Sequence, residues 1–389
     1  MTILFMKKKY QLERFFVTWL MILFMILTDA FTAFAQVKQA TVLVNGISCD
    51  LEQGILKVEF VTPDVVRVQY TFMGNGTDVC LSRTVDNPVR WVYTPNPDCY
   101  LLKSDSLIVR VDLSTASITY LDKEGRLLLQ EDQNIPRISE KRVTKQVIYD
   151  EHSKHIEKTA DGDKEIKNVL RYDIIGHTWK YRINFKWQPL EALYGWGAHM
   201  EDYMNLRGKE LYLCQHNLKA MVPVLNSTAG YGLLFDAGCA MMFKDNSEGS
   251  FVELEAAKQI DYYFMKGKTM DAVVANYRLL TGNSPMMPLY LFGYIQSKER
   301  YVSSDDLINT LKEYRQRQIP IDMIVQDWNY WPEGQWGNMS MNPKFYPDKR
   351  KLADEIHSLH AKLMISIWPN AMNCPQHEEF KRKGWLLSG

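Results

Sequence analysis

Ile319-Pro-Ile-Asp-Met-Ile-Val-Gln-Asp-Trp-Asn-Tyr-Trp331 is the stretch whose reading decides the fold. Ile321, Met323, Ile324 and Val325 make a short, nearly continuous apolar run, the pattern of a strand buried on both faces. The run stops at Asp327, and Trp328, Asn329, Tyr330 and Trp331 follow. Carboxylates accept hydrogen bonds from hydroxyls and indole faces pack against C–H surfaces, so a strand tip of this composition suits a sugar. The bland alternative is an aromatic cluster closing a barrel end, with Asp327 as a turn or cap residue. The flanking pattern favours the sugar site.

On either side the chain reads as a repeating unit. Residues 289–295 form an apolar strand. A helix over 303–317 turns Leu307, Leu311 and Tyr314 inward, and Ser303 with Asp306 resembles a capping box. The second strand is 321–326. A helix over 348–360 aligns Leu352, Ile356 and Leu359, and 363–367 is the third strand. One helix between each pair of strands predicts successive βα units and a parallel sheet. In a (β/α)₈ barrel the active site forms at the C-terminal ends of the strands. Here those ends read Gln296-Ser-Lys-Glu-Arg-Tyr301, Asp327-Trp-Asn-Tyr-Trp331 and Trp368-Pro-Asn370. The long second loop, with Trp336, Phe345 and Tyr346, is expected to wall a pocket. No Gly-x-Gly-x-x-Gly or Walker loop follows any strand, which disfavours nucleotide binding.

Towards the N-terminus the pattern changes to short strands over residues 37–268. In Trp179-Lys-Tyr-Arg-Ile-Asn-Phe-Lys-Trp187 every second residue is apolar, and turn signals separate such runs. Many short strands without a convincing amphipathic helix predict a large antiparallel sandwich. The charged segment 151–167 reads as a hairpin tip or a mobile loop. Tyr194-Gly-Trp-Gly-Ala-His-Met-Glu-Asp-Tyr-Met-Asn-Leu-Arg-Gly208 places glycine between aromatics, which weakens a strand and predicts a bending loop. That loop either carries Asp202 and Tyr203 to a neighbouring active site or serves a domain interface. A helical face with Val273, Val274, Tyr277 and Leu280, stopped by Gly282, then opens the second domain. The expected division is 1–35, 36–268 and 269–389.

The first 35 residues have the form of a signal peptide. Lys7, Lys8, Lys9 and Arg14 precede an apolar run over 15–27, and Ala33-Phe-Ala35 predicts cleavage before Gln36. The run is short for a membrane span, so the mature protein is expected to be exported, periplasmic or extracellular, without a membrane anchor. Basic and acidic residues balance at 46 each, so no basic stripe argues for nucleic acid. Six scattered cysteines show no Cys-x-x-Cys, and no His-Glu-x-x-His occurs. Buried free thiols are expected, with one bridge open among Cys49, Cys80 and Cys99, and neither metal nor cofactor is assigned.

The ordered set Tyr194-Gly-Trp-Gly, Asn205-Leu-Arg-Gly208, Gly230-Tyr-Gly-Leu-Leu234, Gln296-Ser-Lys-Glu-Arg-Tyr301, Ile319-Pro-Ile-Asp322, Gln326-Asp-Trp328 and Ile365-Ser-Ile-Trp-Pro369 resembles glycoside hydrolase family 31. The likeness spans about residues 40–389 and is greatest to the α-xylosidase-like members, with α-glucosidases close. It implies an α+β two-domain fold: a galactose-mutarotase-like antiparallel β-sandwich followed by the first three βα units of an incomplete (β/α)₈ barrel. It also implies a retaining α-glycosidase removing α-linked xylose or glucose from oligosaccharide non-reducing ends. Two carboxyl groups about 5–5.5 Å apart serve such chemistry. The family's nucleophile follows the fourth strand in a Trp-x-Asp-x-x-Glu setting that this sequence lacks, so no catalytic residue is assigned within the chain. By the family pattern Asp327 maps to the aspartate that binds sugar hydroxyls, and Trp368 to an aromatic lining the same subsite. Trp328, Trp331 and Asp202 complete the expected substrate-binding set. The expected fragment hydrolyses nothing by itself. A non-catalytic carbohydrate-binding protein is the alternative. An epimerase would need a His–Glu pair in the sandwich, and no spacing singles out His177, His199 or His216.

Overall fold

The computed structural model describes residues 36–72, 76, 81, 88–159, 162–368 and 374–386. The expected signal peptide, Cys80 and Pro369-Asn370 lie outside them. The chain divides into two compact units after Asn283.

Alternation builds the first unit. Tyr181, Ile183 and Phe185 are buried while Arg182 and Asn184 between them are half-buried. One antiparallel sheet of eight strands runs, in spatial order, Val37–Val42, Gly46–Leu51, Ile55–Thr62, Val65–Thr71, Ile260–Lys266, Tyr231–Phe235, Ala220–Ser227 and Leu193–Ala198. A second, of ten strands, runs from Glu210–Leu213 through Met241–Asn246, Gly249–Ala257, Val169–Lys186 and Leu127–Glu131 to Trp91–Pro95, with Arg137–Tyr149 paired beside Val169–Lys186. The two share one core. Tyr120 of the second sheet stacks on Phe264 of the first at 4.0 Å, and Phe185 meets Tyr262 edge-on at 6.2 Å.

A polar pair is sealed inside that core. Glu131 accepts from the Tyr262 hydroxyl at 2.8 Å and the Ile118 N–H at 2.9 Å, and pairs with the buried Arg137 guanidinium. Burial pushes the Glu131 carboxyl up, and Arg137 pulls it back down. The charged segment 151–167 forms a short turn and the hairpin His155–Thr159 with Gly162–Ile166.

Two expectations are corrected in this unit. Tyr194-Gly-Trp-Gly is not a loop but part of the strand Leu193–Ala198, paired with Ala220–Ser227 and bulged between Gly195 and Gly197. The glycines serve the bulge: their φ values are 128° and 90°, and a Cβ would meet the Val224 carbonyl oxygen at 2.3 Å or that of Ala220 at 1.9 Å. Trp196 between them has φ 62° and is fully buried against Phe235 and Phe243. Likewise, the helix Met270–Thr281 does not open the second unit. It buries Val273 and Leu280 with Val224, Leu234 and Met265, on the face of the first sheet opposite the aromatic core. The Thr269 hydroxyl caps its start and Gly282, at φ 89°, ends it. Cys49, Cys99, Cys214, Cys239 and Cys374 are free thiols.

In the second unit, Ile295–Gln296, Met323–Gln326 and Lys362–Ile365 form a parallel three-stranded sheet. The helices Ser304–Gln316 and Lys349–Ser358 supply Leu307, Leu311, Leu352 and Ile356 to a core with Ile321 and Ile324. The Ser303 hydroxyl accepts the Asp306 N–H at 3.2 Å, while the Asp306 carboxylate turns to the Val302 N–H at 3.1 Å. Arg315 ties the layers together, donating to the carbonyls of Ile321 at 2.7 Å and Leu359 at 2.8 Å. The expected strand 289–295 is corrected: Leu289–Phe292 is a 3₁₀ turn behind Pro288, and only two residues pair. Leu289 and Phe292 are largely exposed, so among the described residues nothing covers the two faces that a buried parallel strand requires. No helix among the described residues is long and apolar enough to cross a membrane.

Candidate functional site

All four residues of Met323–Gln326 are buried, which brings the chain to the surface in a fixed place. Gln326, fully buried, donates to the Tyr301 carbonyl at 3.1 Å and accepts from the Tyr346 hydroxyl at 3.0 Å. These bonds satisfy an amide at the inner end of the site and lock the strand tip. Asp327 follows, half-buried, with one carboxylate oxygen accepting the Trp328 N–H at 2.8 Å. Asn329 takes φ 59°, so the chain doubles back at once.

Four indoles collect beyond the strand end that Asp327 follows. Trp328 lies 5.6 Å from Trp336 and 5.9 Å from Trp368, and Trp336 and Trp368 meet nearly edge-on at 5.4 Å. Trp331, almost fully buried, touches both Trp336 and Trp368. Arg300, beyond the first strand, places its guanidinium 5.5 Å over the Trp328 ring. Segments beyond all three strand ends therefore meet here. Chemically the cluster offers aromatic faces for C–H surfaces, and Asp327 offers an acceptor for hydroxyls. The Trp336 indole N–H is buried without an acceptor. At the end of the first strand, Gln296 accepts from the Tyr294 hydroxyl, which in turn lies 3.2 Å from the Tyr314 hydroxyl; the bond between the two phenols pushes that of Tyr314 up to about 12.

Asp327, Trp328, Trp331 and Trp368, singled out in the sequence, are thus brought together in the second unit. Asp202 belongs to the first. It lines a cavity of about 410 Å³ with Tyr194, His199, Glu201, Tyr203 and Met204. The following Asn205-Leu-Arg-Gly208 is an anchor: the Asn205 side chain accepts the Leu193 N–H, Leu206 is buried, and Arg207 pairs with Asp245 at 2.9 Å. The Asp245 carboxyl also accepts the Gly208 N–H at 2.7 Å and the Ser250 hydroxyl; these bonds and Arg207 outweigh its burial and hold it below the usual carboxylate range. Sequence reasoning missed Arg300 and the neighbourhood of His199. Arg300 was visible as a cation beside a strand end; the partner of the His199 loop, Lys219, comes from another hairpin. No three His, Cys, Asp or Glu side chains gather as metal ligands among the described residues.

Residues 284–389 match the family model described as the glycosyl hydrolases family 31 TIM-barrel domain. Over 347 residues the chain is 28% identical to an α-xylosidase of Saccharolobus solfataricus, covering 86% of this chain and 43% of that protein. The likeness throughout is to glycosyl hydrolase family 31 proteins of the α-xylosidase- and α-glucosidase-like kind. An uncharacterized family 31 glucosidase of Pseudescherichia vulneris is 26% identical, with 88% of this chain and 63% of that protein covered. In fold, the chain superposes on a family 31 α-xylosidase from a soil metagenome, solved with xylose, with TM-score 0.71 at 22% identity, over 90% of this chain and 50% of that one. The Xanthomonas citri α-xylosidase gives TM-score 0.69 at 19% identity, over 88% and 51%. These family 31 proteins are, like this chain, rich in antiparallel sheet. This chain spans less than two thirds of each of these relatives.

Proposed function

We propose that this chain is part of an exported retaining α-glycosidase that removes α-linked xylose or glucose from the non-reducing ends of oligosaccharides. The first unit is read as a galactose-mutarotase-like sandwich and the second as the three opening βα units of a (β/α)₈ barrel. The observation that carries the proposal is the convergence of Trp328, Trp331, Trp336 and Trp368 at the ends of parallel strands, on the segment that Asp327 opens. In this reading Asp327 accepts hydroxyls of the sugar whose bond is broken, and the indoles hold its C–H faces. Asp202, on the first unit, is proposed in its own right as a substrate-binding residue. Neither the nucleophile nor the proton donor is assigned to residues 1–389, so the chain alone is proposed to be inactive.

In the whole protein, Asp327→Ala removes hydrogen bonds to a charged group worth about 1.5–3 kcal/mol. The expected result is a kcat/KM for an aryl α-xyloside or α-glucoside lowered roughly ten- to a hundredfold. Unchanged kinetics would remove the site assignment. Turnover by the 389-residue chain alone, lost in Asp327→Ala, would overturn its proposed inactivity.

A further inference from the structure

His199 and Glu201 present an unusual pair of atoms. The His199 Nε2 lies 2.6 Å from the Trp196 carbonyl oxygen. A carbonyl only accepts, so Nε2 carries the proton, and in the neutral ring Nδ1 is an acceptor. That Nδ1 faces Glu201 Oε2 at 3.9 Å. Both atoms are buried, and neither has a hydrogen-bond partner. Two acceptors thus oppose each other in a place where unsatisfied polar atoms are costly. The other Glu201 oxygen accepts from Lys219 Nζ at 3.0 Å. That bond, more than the partial burial opposing it, holds the Glu201 carboxyl below its usual range, so Glu201 stays anionic where histidines titrate.

We infer that His199, Glu201 and Lys219 form a proton-operated strap: one proton on His199 Nδ1 ties His199 to Glu201 and so fastens the loop beyond Ala198 over the end of the paired strands at Lys219, and its loss leaves that loop held by the Glu201–Lys219 pair without the His199 link. The added proton comes from solvent and supplies the one donor that the two opposed acceptors lack. It completes a continuous line of hydrogen bonds, from the Trp196 carbonyl through His199 and Glu201 to Lys219. The other charged and titratable groups nearby are few. Asp202 is on the same loop, and Tyr203 carries Lys209 5.0 Å over its ring. The hairpin adds His216, whose Nδ1 already accepts the Leu218 N–H. Ala198 and His199 also border a second cavity of about 670 Å³, lined by His216, Asn217 and Lys219. The strap therefore forms the wall between two cavities, and its proton sets how firmly that wall is held. This inference concerns the first unit alone and stands or falls independently of the glycosidase reading.

Met200 and Met204, 71% and 81% exposed on the strapped loop, are natural reporters. The test follows their methyl signals in ¹³C-methyl-methionine spectra of the whole chain between about pH 5 and 8, the range in which histidine changes charge, beside the ¹⁵N signals of the His199 ring. The expected result is one shared midpoint, with Nδ1 gaining the proton. In Glu201→Gln the amide N–H donates to Nδ1 of the neutral ring and so supplies, without a proton from solvent, the bond that the wild type lacks at high pH; both methyls should therefore sit near their acid-side positions at the alkaline end of the range. The buried methyls of Met241 and Met265 report that the variant is folded. Methyl signals that ignore the His199 titration, or that titrate unchanged in Glu201→Gln, would overturn the strap.

Discussion

The strand Ile260–Lys266 in the first unit buries six of its seven residues, whereas Lys362–Ile365 in the second exposes three of its four. Both strands are themselves mainly apolar, so composition does not explain the contrast. The first strand has the aromatic core on one face and Val273 with Leu280 on the other. The second has a helix to one side and nothing described over its remaining surface. An antiparallel pair of sheets covers itself, but parallel strands depend on crossover helices for both faces. Stability should therefore be concentrated in the first unit.

The largest effect is expected from Arg137→Met, which leaves the Glu131 carboxyl without its partner inside the core. Urea unfolding of the first unit should lose about 3–5 kcal/mol. A loss below about 1 kcal/mol would show that the aromatic core holds without the pair, and would sharpen the contrast further. Next comes Leu311→Ala in the second unit. Its cost should fall at about 2–3 kcal/mol, the low end for core truncations, because an exposed sheet can collapse onto the gap. A cost of about 5 kcal/mol would mean that this unit is as rigidly packed as the first, and the comparison would fail. Ser303→Ala should remove about 1 kcal/mol by uncapping Ser304–Gln316, seen as a lower melting temperature of the second unit.

The smallest effect concerns pH. Asp245 has a folded-state pKa below its ordinary value of 3.8. Its contribution is thus fully present above that ordinary value and is lost as pH falls through the lower folded one. In Asp245→Asn the acid limb of the first unit's stability curve should flatten just below pH 3.8. An unchanged limb would mean that other carboxylates govern acid unfolding.

Local chemistry was the legible part. Ser303 and Asp348 accept the N–H groups that start their helices, and Gly282 stops the helix it follows. The alternating run around Tyr181 and the apolar run before Asp327 carry their period openly, so both strands could be placed. The 3₁₀ turn Leu289–Phe292 could not, because its apolar letters match a strand and only the missing cover decides otherwise. Tyr194-Gly-Trp-Gly misled for the opposite reason: glycine there marks close approach between paired strands rather than a break in pairing. Of the site, Asp327 and three of the indoles stood out as strand-end residues. The pairing of Glu201 with Lys219 was invisible, since 18 residues and a strand separate them.

The kinked strand around Trp196 has a bearing on how this protein can be diversified. Its three central positions combine positive φ with backbone oxygens less than 2.5 Å from where a new Cβ would sit beside Gly195 and Gly197. In a saturation library, almost every codon change there should be purged by folding alone, before any selection for function begins. Loop positions such as Met200 and Met204 have open space instead, and a directed-evolution campaign should spend its diversity on them.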